Sequence, residues 1–265
     1  MAKKVILIIL LSLFCIQVQS EGVAVDSELD PNLSPMDVMD DYLRAIGQES
    51  TLEEIPVEQF NPPVRKIYSN DLLPHLGNDD VGEVVRLINA GIDVNADLGA
   101  GTTPLMYAES AEMAKALIDL GADVNHKAFD GSSVLHYAVS ADRAEEILSV
   151  LLKAGAVVNV VSVGMNGETP FLATKYLFIE QNAFNKAARI ARILYRYGAS
   201  VDAQDEDGYT ALMTATVNDK PRMAEFMLML GSDVNLRSVD GKTALEYAKE
   251  LGHYDIADLI IKSPY

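Results

Sequence analysis

Gly121-Ala-Asp-Val-Asn125 is one of five versions of a single phrase, which also reads Gly91-Ile-Asp-Val-Asn95, Gly155-Ala-Val-Val-Asn159, Gly198-Ala-Ser-Val-Asp202 and Gly231-Ser-Asp-Val-Asn235. Successive copies are 30, 34, 43 and 33 residues apart. A period of about 20 to 50 residues marks a stacked array, because each unit can bury its apolar face only against its neighbours.

A second phrase alternates with the first: Gly101-Thr-Thr-Pro-Leu-Met-Tyr-Ala108, Gly131-Ser-Ser-Val-Leu-His-Tyr-Ala138, Gly167-Glu-Thr-Pro-Phe-Leu-Ala-Thr174, Gly208-Tyr-Thr-Ala-Leu-Met-Thr-Ala215 and Gly241-Lys-Thr-Ala-Leu-Glu-Tyr-Ala248. Each predicts a helix start. Thr103, Ser133, Thr169, Thr210 and Thr243 stand where an N-cap accepts a backbone N–H, and Pro104 and Pro170 fall at the first helical position. A second amphipathic helix follows, such as 111–120, and stops at the glycine of the first phrase. Asp130-Gly131, Asn166-Gly167, Asp207-Gly208 and Asp240-Gly241 then predict hairpin turns, in which both central residues tolerate positive φ.

Helix, loop, helix and finger, with these two phrases at these positions, resemble the ankyrin repeat over residues 71–265. The resemblance implies an all-α solenoid of about six helix-loop-helix units with short β-hairpin fingers, at approximately 71–100, 101–130, 131–166, 167–207, 208–240 and 241–265. Pro74 and Gly77 weaken the first inner helix. From helix-start Thr or Ser to closing Asn or Asp, the next four units measure 23, 27, 34 and 26 residues. The second is therefore trimmed between its helices and the fourth enlarged near Lys175-Tyr-Leu-Phe-Ile-Glu-Gln-Asn-Ala-Phe184. That apolar run suggests an extended inner helix or a packed loop. Thr174, standing where the family places alanine, leaves the register there open.

Residues 1–20 read as a secretory signal peptide: Lys3 and Lys4 precede a twelve-residue apolar run, Val5 to Ile16, interrupted only by Ser12. At about 1.5 Å per residue the run covers only some 18 Å, against a hydrocarbon core of about 30 Å. Its removal takes Cys15, the only cysteine, so packing alone holds the remaining chain together. That favours the bacterial periplasm, with secretion second. Residues 21–70 form an acidic arm. Its first forty residues hold eleven acids against Arg44, and Pro35, Met36, Val38, Met39, Tyr42, Leu43 and Ile46 before Gly47 predict a helix near 35–46. The helix could dock on the first repeat, serve as a detachable partner-binding segment, or stay independent of the array.

The net charge of −18 at pH 7 disfavours nucleic acid and anionic membrane surfaces as partners, because both require a basic face. No nucleophile elbow, phosphate loop or zinc helix occurs, so no catalytic residue, cofactor or metal ligand is assigned. The resemblance gives His136 and His253 structural positions. Asp202-Ala-Gln-Asp-Glu-Asp-Gly208 resembles a calcium loop only in composition, because its glycine comes seventh and Met213 replaces the twelfth-position glutamate.

The resemblance also implies that a protein partner is bound through finger tips and inner helices by a monomeric chain. The outward finger positions are Lys127, Phe129, Val161, Met165, Gln204, Glu206, Tyr209, Arg237, Val239 and Lys242. Phe129, Met165 and Tyr209 are the expected anchors. Lys186, Arg189, Arg192 and Arg196 recur on one helical face, forming either a solvated flank or a stripe that docks an acidic partner. The functional reading is an exported, non-catalytic binding module. The alternatives are an inhibitor or immunity protein covering an envelope-acting toxin or enzyme and, in another class, a hydrolase using the enlarged fourth repeat.

Overall fold

The computed structural model describes residues 68–179 and 183–264. The leader over 1–20 and the expected helix near 35–46 lie outside the described residues. The array begins with a 3₁₀ turn, Ser69–Leu72, followed by α1 (Leu73–Gly77) and α2 (Val81–Asn89). The second unit has a 3₁₀ turn, Pro104–Tyr107, and α3 (Ala111–Asp119). Next come α4 (Val134–Ser140) with α5 (Ala144–Lys153), α6 (Pro170–Ile179) with α7 (Phe184–Arg196), α8 (Ala211–Val217) with α9 (Pro221–Met229), and α10 (Ala244–Leu251) with α11 (Tyr254–Lys262).

An inner row runs from α4 through α6 and α8 to α10, and the outer helices stack beside it, α2 on α3 on α5 on α7 and α9 on α11. Leucine and alanine at helical spacing make the layer between the rows. Leu117, Leu135, Leu148, Leu172, Ala191, Ala215 and Ala248 are fully or almost fully buried. Burying each leucine contributes about 1.5–3 kcal/mol relative to exposure.

Four of the five expected caps form. The Thr169, Thr210 and Thr243 hydroxyls accept from the N–H groups of Leu172, Met213 and Glu246. Ser133 closes a capping box with His136, whose Nδ1 accepts the Ser133 N–H at 3.0 Å. Thr103 is the exception. Its side chain caps nothing, the following segment makes only a 3₁₀ turn, and Ala108 leaves in extended conformation. The residues missing from this unit are those an inner helix needs for a second turn.

Asp79 of the first unit ties the trimmed unit to both sides. Arg143 Nη1 lies 3.3 Å from Asp79 Oδ2, and Ser110 Oγ donates to Asp79 Oδ1 at 2.7 Å. In the fourth unit α6 runs to ten residues and α7 to thirteen. Thr174 keeps the register, fully buried with its hydroxyl donating to the Phe171 carbonyl. Phe178, Phe184 and Phe226 pack together with ring centroids 5.4 to 6.3 Å apart.

The fingers close more tightly than ladders of strands. The N–H groups of Leu98, Ala128, Asp205 and Ser238 each bond the carbonyl four residues on, and the third finger does so over six, Ser162 to Glu168. Among the described residues, antiparallel pairing is limited to single bridges at Lys127–Ser133 and Ser162–Glu168. Positive φ at both central positions was expected at each Asp-Gly or Asn-Gly. Only Asn166-Gly167 among them has it, at 54° and 73°. Asp130, Asp207 and Asp240 do not take positive φ, because one left-handed glycine suffices to close these turns.

Candidate protein-binding surface

The recurring phrase positions the fingers by locking each unit to the next. Asn95 Oδ1 accepts the Asp123 N–H at 2.8 Å, and its amide nitrogen donates to the Gly121 carbonyl at 3.4 Å. Asn125 repeats the clamp on Val157 and Gly155, and Asn159 on Ser200 and Gly198. Asp202 makes only half of it, accepting from the Asp233 N–H at 2.9 Å, because a carboxylate has no proton to donate. Burial and the neighbouring Asp233 carboxylate push the Asp202 carboxyl above its ordinary value, although the Asp233 N–H opposes the shift.

A second tie runs between the tips. The N–H groups of Phe129, Gly164, Glu206 and Val239 donate to the carbonyls of Ala100, Asp130, Asn166 and Asp207 in the preceding fingers, at 2.9 to 3.0 Å. These four positions are therefore equivalent in the frame, with Gly164 the one that has no side chain. Phe129 is 81% exposed, Val239 76% and Val161 51%. Val163, beside Gly164, is 72% exposed and was not singled out from the sequence. The third finger has two more residues between its Asn and tip Gly than its neighbours, which shifts the count and conceals Val163. Comparison of these spacings would have found it.

Met165 and Tyr209, expected as free anchors, are drawn inward instead. Met165 is half-buried against the core. Tyr209 stacks on Tyr247 with ring centroids 5.5 Å apart and donates to its hydroxyl at 3.1 Å. That bond, together with burial and nearby carboxylates, pushes the Tyr209 phenol to about 12. The polar finger residues also have intramolecular partners: Gln204 Nε2 bridges the Gly208 and Arg237 carbonyls, Arg237 pairs with Glu246, and Lys242 pairs with Glu250. Lys127 and Glu206 remain exposed.

The basic face of α7 is largely engaged within the array. Lys186 Nζ donates to the Ala141 carbonyl at 3.0 Å, Arg189 pairs with Glu145 at 2.7 Å, and Arg192 lies over the Phe226 ring at 5.1 Å. Arg196 is exposed near the helix end. Three of the four expected docking cations thus fasten α7 to its neighbours.

Beneath the fourth finger lies a charge cluster not anticipated from the sequence. Lys175 Nζ sits 2.7 Å from Glu168 Oε1 and 3.2 Å from Asp205 Oδ2, while the Tyr176 hydroxyl donates to Glu168 Oε1 at 2.8 Å. Burial disfavours the Lys175 charge, but the bonds and attraction from Glu168 and Asp205 outweigh it and raise the ammonium above its ordinary value. Glu168 Oε2 is buried without a hydrogen-bond partner among the described residues. The sequence signal was Glu168 itself, at a position where the second and third units have Thr102 and Ser132.

All four histidines make structural contacts. His136 Nε2 meets the Glu168 carbonyl at 3.1 Å, His126 Nε2 the Gly101 carbonyl at 3.0 Å and His253 Nδ1 the Thr216 carbonyl at 2.8 Å. His75 lies 3.7 Å from Asp80. Burial drives the His136 pKa down against the pull of the Glu168 carbonyl and the Asp130 charge. No group of His, Cys, Asp and Glu among the described residues has the arrangement of a metal site.

No curated protein matches the sequence. Among solved structures, one similar chain belongs to the complex of the Bd0816 predatory endopeptidase from Bdellovibrio bacteriovorus with immunity protein Bd3460. It is 28% identical with a TM-score of 0.59, over 71% of this chain and 95% of that one. The ankyrin repeat domain of Bcl-3, an IkappaB-family protein, matches at 21% identity and TM-score 0.62, over 87% of this chain and 93% of that one. EF0377, an ankyrin repeat protein, matches at 24% and 0.61, over 74% and 99%. The sequence pattern described as Ankyrin repeats (3 copies) matches residues 76–162 and 179–265, more than half of the sequence. With its paired helices, capped inner turns and Asn clamps, the chain belongs to the ankyrin-repeat family.

Proposed function

We propose that the chain is exported to the bacterial periplasm, where, as a monomer, it binds a protein without catalysing a reaction. The observation that carries this reading is the exposed apolar row at the finger tips. Phe129, Val163 and Val239 project from a backbone whose own hydrogen bonds are already made. Exposed apolar side chains on a rigid frame suit interface anchors, since their ordering cost has been met before binding. The charged leader supports export, and the acidic surface argues against nucleic acid and anionic lipid as competing ligands.

Replacing Phe129, Val163 and Val239 together by serine tests the reading. The variant should melt within a few degrees of the parent yet retain at most about one tenth of the partner captured from envelope extract, as quantified by mass spectrometry. Unchanged recovery of every captured protein overturns the assignment.

A more specific form is an inhibitor or immunity protein that covers an enzyme's active site, supported by the 28% identity to a chain from an endopeptidase–immunity complex. Its expected outcome is stoichiometric inhibition of a co-encoded envelope hydrolase, measured by muropeptide release. Binding without inhibition would leave only the general reading.

A further inference from the structure

The trimmed second repeat leaves a hollow of about 370 Å³ between its 3₁₀ turn and α4. We propose that this hollow receives a lysine or arginine side chain from the bound protein, a second contact distinct from the finger tips. The inference rests on the protein-binding reading above. Leu105, Val134 and Ile147 are among the apolar residues that line it, and Tyr107 and Tyr137 add phenol rings. Both tyrosines occupy the fifth position from the capping Thr or Ser in their units, Tyr107 exposed there and Tyr137 half-buried against the core. Tyr107 is 38% exposed.

The charged side chains that line the hollow are negative, although Lys186 Nζ reaches its edge and donates to the carbonyl of the lining residue Ala141 at 3.0 Å. The charged lining residues are Glu109 and Asp142, both exposed, and neither pairs with a cation among the described residues. Arg143, beside Asp142 in the chain, is already paired with Asp79 at 3.3 Å. Tyr137 is held above the ordinary phenol value by burial and the nearby Asp130 charge, and like any neutral phenol it presents an electron-rich ring face. Apolar walls suit the methylenes of a long basic side chain, ring faces attract its cation, and rim carboxylates receive its terminal N–H groups. An acidic side chain would meet two like charges, and an uncharged one would leave both carboxylates unpaired. The volume lies in the range of small-ligand pockets, enough for one such side chain and its neighbour.

The test uses ¹⁵N-labelled protein and two peptides, Ac-Ala-Leu-Arg-Leu-Ala-NH₂ and the same peptide with citrulline in place of arginine. Citrulline keeps the shape and loses the charge. The arginine peptide should shift the Tyr107, Ala108 and Ala141 amide resonances saturably, and the citrulline peptide should bind at least about fivefold more weakly. Glu109→Gln with Asp142→Asn should abolish that preference at an unchanged melting temperature, and Ala141→Met should fill the hollow and weaken both peptides. Equal binding of the two peptides overturns the proposal, as do shifts scattered over the acidic surface without saturation. The serine triple variant at the finger tips separates the two readings. It should bind the arginine peptide normally, so a failure of the finger reading leaves this measurement intact.

Discussion

At the scale of single residues, Asp202, His136 and Lys175 each decide something their neighbours do not. Asp202 occupies a clamp position where Asn95, Asn125 and Asn159 make two bonds, and it makes one. Asp202→Asn should restore the donor to the Gly231 carbonyl and raise stability by about 1 kcal/mol in a denaturant titration at pH 7. Because folding raises the Asp202 carboxyl, the wild type loses stability as pH rises from the ordinary carboxylate value through the raised native one. The advantage of asparagine should therefore shrink in acid. His136 titrates in the opposite sense. Its pKa is lowered on folding, so its contribution is complete above the ordinary imidazole value of about 6.5 and lost as pH falls through the native value. Melting curves from pH 7 to pH 5 should fall more steeply for the wild type than for His136→Gln. Lys175→Met should cost about 3–5 kcal/mol by leaving two buried carboxylates unpaired, and adding Glu168→Gln and Asp205→Asn should return most of it. If the single and triple variants melt together, the cluster carries no such charge balance.

At the scale of elements, the helices were legible because capping and apolar spacing are local. Thr169, Thr210 and Thr243 announce their helices without reference to the rest of the fold. The 3₁₀ turn at Pro104–Tyr107 is not legible locally, since its start carries the same Thr-Pro-Leu signal as a full helix and the shortened connection after it leaves no room for a second turn. The fingers were partly legible: Asp-Gly and Asn-Gly located the turns, but which side chains stand free depends on bonds to the preceding finger. Tyr209 reads as an anchor until Tyr247, 38 residues away, is placed beside it. Gly101 illustrates the same dependence. At φ 76°, a Cβ there would sit 2.6 Å from the Phe129 ring of the next finger. Gly101→Ala should lower the melting temperature and displace the Phe129 resonances, whereas alanine at solvent-facing Lys127 should do neither.

At the scale of the molecule, the array is uneven along its length. The first unit has a five-residue inner helix and the second a single 3₁₀ turn, whereas the fourth has helices of ten and thirteen residues. In a repeat protein, stability is approximately a sum of unit and interface contributions, so opening should begin at the thin end. Native-state hydrogen exchange should show Val84 and Leu87 opening at lower free energy than Leu148, Ile190 and Met227. Uniform protection would instead mean that the six units unfold as one. The tip-to-tip amide bonds bear on how such a surface can change over time. They use main-chain atoms alone, so the pitch from Phe129 to Val239 is set like the spacing of type in a printer's frame. The characters at Phe129, Glu206 and Val239 can be replaced without moving the others, whereas Gly164 is fixed because a Cβ there would collide with the Asp130 Cβ; three of the four tips can therefore follow a mutating partner letter by letter at almost no cost in foldedness.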